Sequence, residues 1–182
     1  MGIFKKLFGK KEQKDPQSKL RNEPQPKVYK INAISLNDLA DINIDKAIST
    51  IRNKRKDNQR KFKSIYEEAK ELIRKGQTQK AQELTSQDVV SYFTVYQKAE
   101  KLEKEGNLEE AGKVYWSNIY ENGTDAPANF KRLLIVLSKL GRKKEELSVA
   151  KIYTYFIKKK ELEKLKKRII NIEKKIKKIN DQ

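Results

Sequence analysis

Between Tyr92 and Tyr120 the chain reads YFTVYQKAEKLEKEGNLEEAGKVYWSNIY, and no other stretch limits the fold as strongly. Val95, Ala99 and Leu102 recur at intervals of four and three, which places them on one helical face. Gly106 then breaks the pattern. Asn107 and Glu110 have the spacing of an N-cap and capping box, and Ala111, Val114, Tyr115 and Ile119 resume the helical interval. The stretch is therefore expected to form two amphipathic helices joined by a tight turn. Such a hairpin cannot bury both apolar faces alone, so it calls for similar neighbours.

Similar signals flank it. Ser35 and Asp38 are spaced as a capping pair for a short helical turn from Leu36 to Ala40. A long helix is expected from about Asp45 to Gly76, with Ile44, Ile48, Ile51, Phe62, Ile65, Ala69 and Leu72 in its seam. Arg55 and Asn58 weaken that seam at its middle. Thr78 is placed to cap the next segment, and Thr85 or Ser86 with Asp88 to restart it. Beyond Asn122-Gly123, Thr124 or Asp125 is placed to cap a helix with Pro127 in its first turn. Phe130, Leu133, Leu134 and Leu137 form its stripe, and Gly141 closes it. A last helix from about Lys143 meets no Gly or Pro before the C-terminus.

Three turn glycines, Gly76, Gly106 and Gly141, are thus spaced by 30 and 35 residues. The central unit resembles the tetratricopeptide repeat, in which small residues face each other across the turn and an aromatic follows. Ala99, Ala111 and Tyr115 fit those roles. In the preceding unit Ala69 and Ala81 match, but Thr85 stands where the aromatic belongs. In the following one Leu134 and Ala150 are in register, but Glu146 replaces the small residue. The resemblance covers about residues 62–156. It implies an all-α array of antiparallel helix-turn-helix units, with a groove that binds a protein segment and no catalysis of its own. Tyr92, Tyr96, Trp116 and Tyr120 are the candidate lining of such a groove, because Tyr and Trp combine contact area with a polar handle. The other reading of these aromatics is inter-helix packing, with Trp116 as its exception because Tyr115 already fills the buried slot.

Composition supports a thin, striped core: 36% of residues are hydrophobic and 37% charged. No window approaches the ~18 apolar residues of a membrane-spanning helix. Nor is there a secretory signal, which leads to an expected cytoplasmic protein, peripheral at a membrane if the N-terminus binds one. The chain has no Cys and no His, which removes disulfides, thiolate metal sites and the usual nucleophile systems. Its seven glycines form neither a P-loop nor a dinucleotide fingerprint. Paired acids such as Glu109-Glu110 and Glu145-Glu146 are read as helix-start or outer-face residues. No enzyme and no cofactor is expected.

The net charge of +18 gathers at the ends. Residues 1–30 carry nine basic and three acidic side chains, and residues 151–182 carry twelve and four. Four segments are expected: an amphipathic basic stretch (1–11), a Pro-rich linker (12–35), the repeat domain (36–157) and a projecting basic helix (158–182). Ile3, Phe4, Leu7 and Phe8 are candidate contacts to an anionic membrane surface, with lysines beside them. Gly2 lacks a myristoylation context, since Lys6 stands where Ser or Thr is needed. The patch Arg52, Lys54, Arg55, Lys56, Arg60, Lys61 and Lys63 reads as a solvated helix face.

Leu162, Leu165, Ile169, Ile172, Ile176 and Ile179 step by three and four, forming a heptad seam. In a parallel homo-oligomer, Glu161 would meet Lys166 and Arg168 would meet Glu173 of the partner helix. Alternatively the seam packs back on the long helix 45–75. The lysines outside the seam can follow a nucleic-acid backbone or an anionic surface, although Lys lacks Arg's bidentate reading. Two function classes follow: a protein-binding adaptor, and a charge-driven binder of nucleic acid or membrane through the basic ends.

Overall fold

A computed structural model describes residues 35–181, without the side chains of residues 86–91. All of these residues fall within one compact unit, Ile31–Gln182. Among them the secondary structure is entirely helical. A 3₁₀ turn (Leu36–Leu39) precedes α1 (Ile44–Arg74), α2 (Thr78–Lys104), α3 (Leu108–Tyr120), α4 (Pro127–Lys139), α5 (Lys143–Tyr153) and α6 (Lys159–Asn180). Each helix packs on the next in sequence, and both α1 and the 3₁₀ turn also reach α3 and α5.

The three glycine turns are the same turn. Gly76, Gly106 and Gly141 have φ of 73°, 82° and 74°. After each, the amide of Gln77, Asn107 or Arg142 donates to the carbonyl of Leu72, Leu102 or Leu137, at 2.9, 2.9 and 3.0 Å. This is the Schellman closure, which ties up carbonyls that the helix end would leave unpaired. Nothing lies within 4 Å of where a Cβ would stand at any of the three. Glycine is therefore required by the positive φ and not by crowding. The residue seven before each glycine (Ala69, Ala99, Leu134) is buried, as is the residue five after it (Ala81, Ala111, Glu146).

α3 lies at the centre. Eight of its thirteen residues, including Val114, Tyr115, Trp116 and Ile119, are buried. A helix buried on opposite sides needs covers beyond its two sequence neighbours, and the 3₁₀ turn supplies one. Leu36 and Leu39 are fully buried, and a Cβ on Gly112 would come within 2.7 Å of Leu36. Ser35 caps the turn by accepting from the Asn37 amide at 3.2 Å. Arg142 then fastens it to the body, donating to Asn37 and to both carboxylate oxygens of Glu109 at 3.0 Å.

Several local expectations fail for identifiable reasons. α2 is continuous through 85–88, because the Thr85 hydroxyl donates back to the Ala81 carbonyl (2.9 Å) instead of capping a new helix. Its N-cap is Gln77, not Thr78. Asn107 does occupy the N-cap of α3, but its side chain makes no capping bond, and Glu110 pairs with Lys113. Ala126 caps α4, while Asp125 is drawn away to Arg55 at 2.6 Å.

The final helix is not unbroken. α5 ends at Tyr153 and α6 begins at Lys159 with no Gly or Pro between them. The interruption is tertiary in origin: Phe130 of α4 stacks on both Tyr153 (4.6 Å) and Phe156 (5.7 Å). After the break α6 packs on α5. It neither projects nor takes helix 45–75 as its neighbour.

Candidate functional site

The four aromatics expected to line a groove are used for packing. Trp116 is 1% exposed, so the expectation that it escapes burial is wrong. Tyr115 fills one side of α3 and Trp116 the other, because α3 is covered on both. Trp116 stacks on Tyr120 with centroids 5.3 Å apart, and Lys54 sits 5.3 Å over the outer ring, Tyr120. Half-buried Tyr96 lies 5.8 Å from Tyr115, and half-buried Tyr92 lies 6.0 Å from Phe62. Among the described residues the exposed large hydrophobics are Tyr66 (63%), Ile73 (56%), Phe93 (64%), Tyr155 (54%), Ile170 (50%) and Ile179 (62%), the first three of them on α1 and α2.

The polar interruption of the α1 seam has a structural purpose. Asn58 donates to the Asn122 carbonyl at 2.6 Å, and Arg55 pairs with Asp125, so the middle of α1 grips the α3–α4 loop. Gly123 makes the approach possible: its φ is +63°, and a Cβ there would stand 2.7 Å from the Arg55 amide nitrogen. The network continues inward. Asn122 donates to the Asn118 side chain, and Asn118 donates to Asn129 and to the Tyr92 carbonyl. Asn118 is completely buried, so these bonds satisfy an amide that would otherwise cost free energy.

Among the described residues two carboxylates are buried, each with cations. Glu103 of α2 meets Arg132 (2.9 Å) and Lys139 (3.4 Å) of α4, and accepts from the Tyr115 hydroxyl at 3.3 Å. Glu146, read as a helix-start or outer-face residue, does lie in the first turn of α5, but it is 2% exposed. It pairs with Lys143 (2.9 Å) and with Arg168 of α6 (2.6 Å). Arg168 also donates to the Leu134 carbonyl at 2.9 Å. The charged residue that breaks the repeat pattern is thus the anchor that docks α6.

The same docking uses the charges and apolar residues assigned to self-association. Glu161 pairs with Lys131 (2.7 Å) and Glu173 with Lys151 (3.1 Å). The Lys131 hydrogen bond holds the Glu161 carboxyl below its ordinary range. Leu165 and Ile172 are buried, and Leu162, Ile169 and Ile176 are half-buried. Of the heptad seam only Ile179, at 62%, is fully exposed.

α6 and the α4–α5 junction enclose an open cleft of about 490 Å³. Ser138, Lys143 and Glu146 line it from the α4–α5 side, and Lys164, Lys167, Arg168, Asn171, Ile172 and Lys175 line it from α6. Five cationic side chains therefore face one carboxylate, and that carboxylate is already engaged by two of them. The Lys143 ammonium also donates to Ser138 at 3.1 Å. The sequence shows Lys164, Lys167 and Lys175 only as an outer coat. Nothing in it joins them to Lys143 and Ser138, beyond the signal of a Glu at a small-residue position.

The proposed membrane contacts Ile3, Phe4, Leu7 and Phe8 lie outside the described residues, as does most of the linker 12–35. Among the described residues no group of three or more acidic side chains could hold a metal ion, and no helix is long and apolar enough to cross a membrane. No family model, curated protein or solved structure matches the chain.

Proposed function

We propose that the chain is a non-catalytic adaptor built as a tetratricopeptide-like array, which holds a protein partner on the outer apolar side chains of α1 and α2. The observation that carries this reading is the turn repeated at Gly76, Gly106 and Gly141, with a buried position seven residues before and five after each glycine. One departure shapes the reading. In an open solenoid each repeat touches only its neighbours, whereas here the 3₁₀ turn and α1 reach α3 and α5. The central aromatics are thereby consumed as core. The contact surface moves outward to Tyr66, Ile73 and Phe93, large side chains of the kind enriched at interface centres.

Affinity capture from native extract, with wild type and a Tyr66→Ser/Phe93→Ser variant, tests the reading. The variant is expected to keep its helical circular dichroism and to lose at least one partner reproducibly. A folded variant that retains every partner overturns it.

A further inference from the structure

We propose that the cleft between α6 and the α4–α5 junction is a binding site for a small ligand bearing two or more phosphate groups. This site does not depend on the adaptor reading, since it shares none of its residues.

The argument starts from charge balance. Several cations elsewhere in the body each meet an acid: Arg142 has Glu109, Lys131 has Glu161, and Lys151 has Glu173. In the cleft the ratio is reversed, with Lys143, Lys164, Lys167, Arg168 and Lys175 around Glu146 alone. Glu146 is held by Lys143 and Arg168, so the three α6 lysines have no carboxylate within the cleft. Like charges crowded around a concave wall raise the local potential and favour an anion that can bridge them.

Geometry then selects the class of anion. Lys164, Lys167, Asn171 and Lys175 recur at intervals of three and four, so they form one strip along α6. At about 1.5 Å per residue the strip spans about 16 Å. A single phosphate cannot engage that length, but linked phosphates can. Ser138 and Asn171 add neutral hydrogen-bond donors, one from the α4–α5 side and one from α6. The wall carries lysines and no aromatic, which suits phosphate charge and offers no platform for stacking a base. Leu165 and Ile172 of the apolar seam are buried, and Ile172 also contributes to the cleft lining beside the lysines.

Isothermal titration of the full chain with sodium tripolyphosphate, at about 150 mM salt where long-range attraction is screened, tests the site. Two variants of equal charge are compared. Lys164→Gln/Lys175→Gln empties the strip, and Lys159→Gln/Lys177→Gln removes two charges from the far side of the same helix. The site predicts saturable one-to-one binding. The strip variant should weaken it by about tenfold or more, since each charge-assisted bond contributes that order, and the far-side variant by less than about twofold. Circular dichroism on both variants confirms that α6 stays folded.

Vesicles containing a phosphoinositide bisphosphate, compared with phosphatidylserine vesicles of matched surface charge, identify the source. Preference for the phosphoinositide that the strip variant abolishes places the phosphates on a lipid headgroup. Tripolyphosphate binding without that preference places them on a soluble compound. Absence of tripolyphosphate binding, equal losses in the two variants, or binding of duplex DNA alone overturns the proposal.

Discussion

Hairpins α1/α2 and α2/α3 share one turn and one pair of buried alanines, yet their surroundings differ. Around Gly106, α3 is covered by α1, α2, α4 and the 3₁₀ turn, and eight of its residues are buried. Around Gly76, from residue 62 to residue 85, only Ala69 and Ala81 are buried. Tyr66 and Ile73 remain exposed there. Local turn chemistry is therefore equal in the two hairpins, and the difference comes from neighbours. Helical stability in a protein comes mainly from the packing of an apolar face rather than from propensity. The α1/α2 tip should consequently open at lower free energy than the body.

Trp116→Ala and Tyr66→Ala make the sharpest test of that contrast. Truncating the buried Trp116 should cost about 3–5 kcal/mol in urea unfolding. Truncating exposed Tyr66 should stay within about 0.5 kcal/mol. Similar losses at both sites would remove the distinction between body and tip.

Gly123→Ala probes the clamp by which the middle of α1 joins the body. The positive φ costs a Cβ-bearing residue about 1–2 kcal/mol, and the added methyl would also collide with the α1 backbone at Lys54 and Arg55. A loss of about 2 kcal/mol or more is expected, with faster amide exchange in α1. Unchanged stability would mean that the loop does not hold α1 in place.

The smallest effect concerns alkaline pH and is confined to the body. Burial pushes both Tyr115 and Tyr153 up to about 12, against an ordinary value of about 10. The folded state keeps these protons where the unfolded chain releases them. Their contribution is complete below about pH 10 and is lost as pH rises towards 12. The Tyr153 hydroxyl has no protein hydrogen-bond partner among the described residues, so Tyr153→Phe should leave neutral-pH stability intact and flatten the alkaline fall. Trp116, the sole tryptophan, reports the transition by fluorescence. An unchanged alkaline slope would show that Tyr153 does not contribute to it.

Much of the helical layout was legible in order and type. The glycines at 76, 106 and 141, and the apolar intervals beside them, are local signals that do not depend on what packs against them. The break between α5 and α6 was invisible because a stack on Phe130, not a Gly or Pro, stops the helix. The restart expected at Thr85 had the opposite fault: a capping residue in sequence bonded to its own helix instead. For the candidate sites the sequence offered residues without partners. It marked Trp116 as free because one buried slot on α3 was already filled, and it could not know that α3 has covers on two sides.

The sequence alone thus determined the repeated turn, since positive φ is a property of glycine itself and the Schellman bonds are local. It also set the excess of positive charge at the C-terminal end. Which lysines share a cleft was decided only by tertiary structure. Glu146 and Arg168 are 22 residues apart, and their pairing, with the Arg168 bond to the Leu134 carbonyl, helps to fix α6 against α4 and α5. Arg55 and Asn58 show the same dependence in α1. They read as defects in an apolar seam, and become a clamp once the loop at Gly123 comes within reach. Periodicity reports what a face carries, and only the packed chain fixes what that face meets.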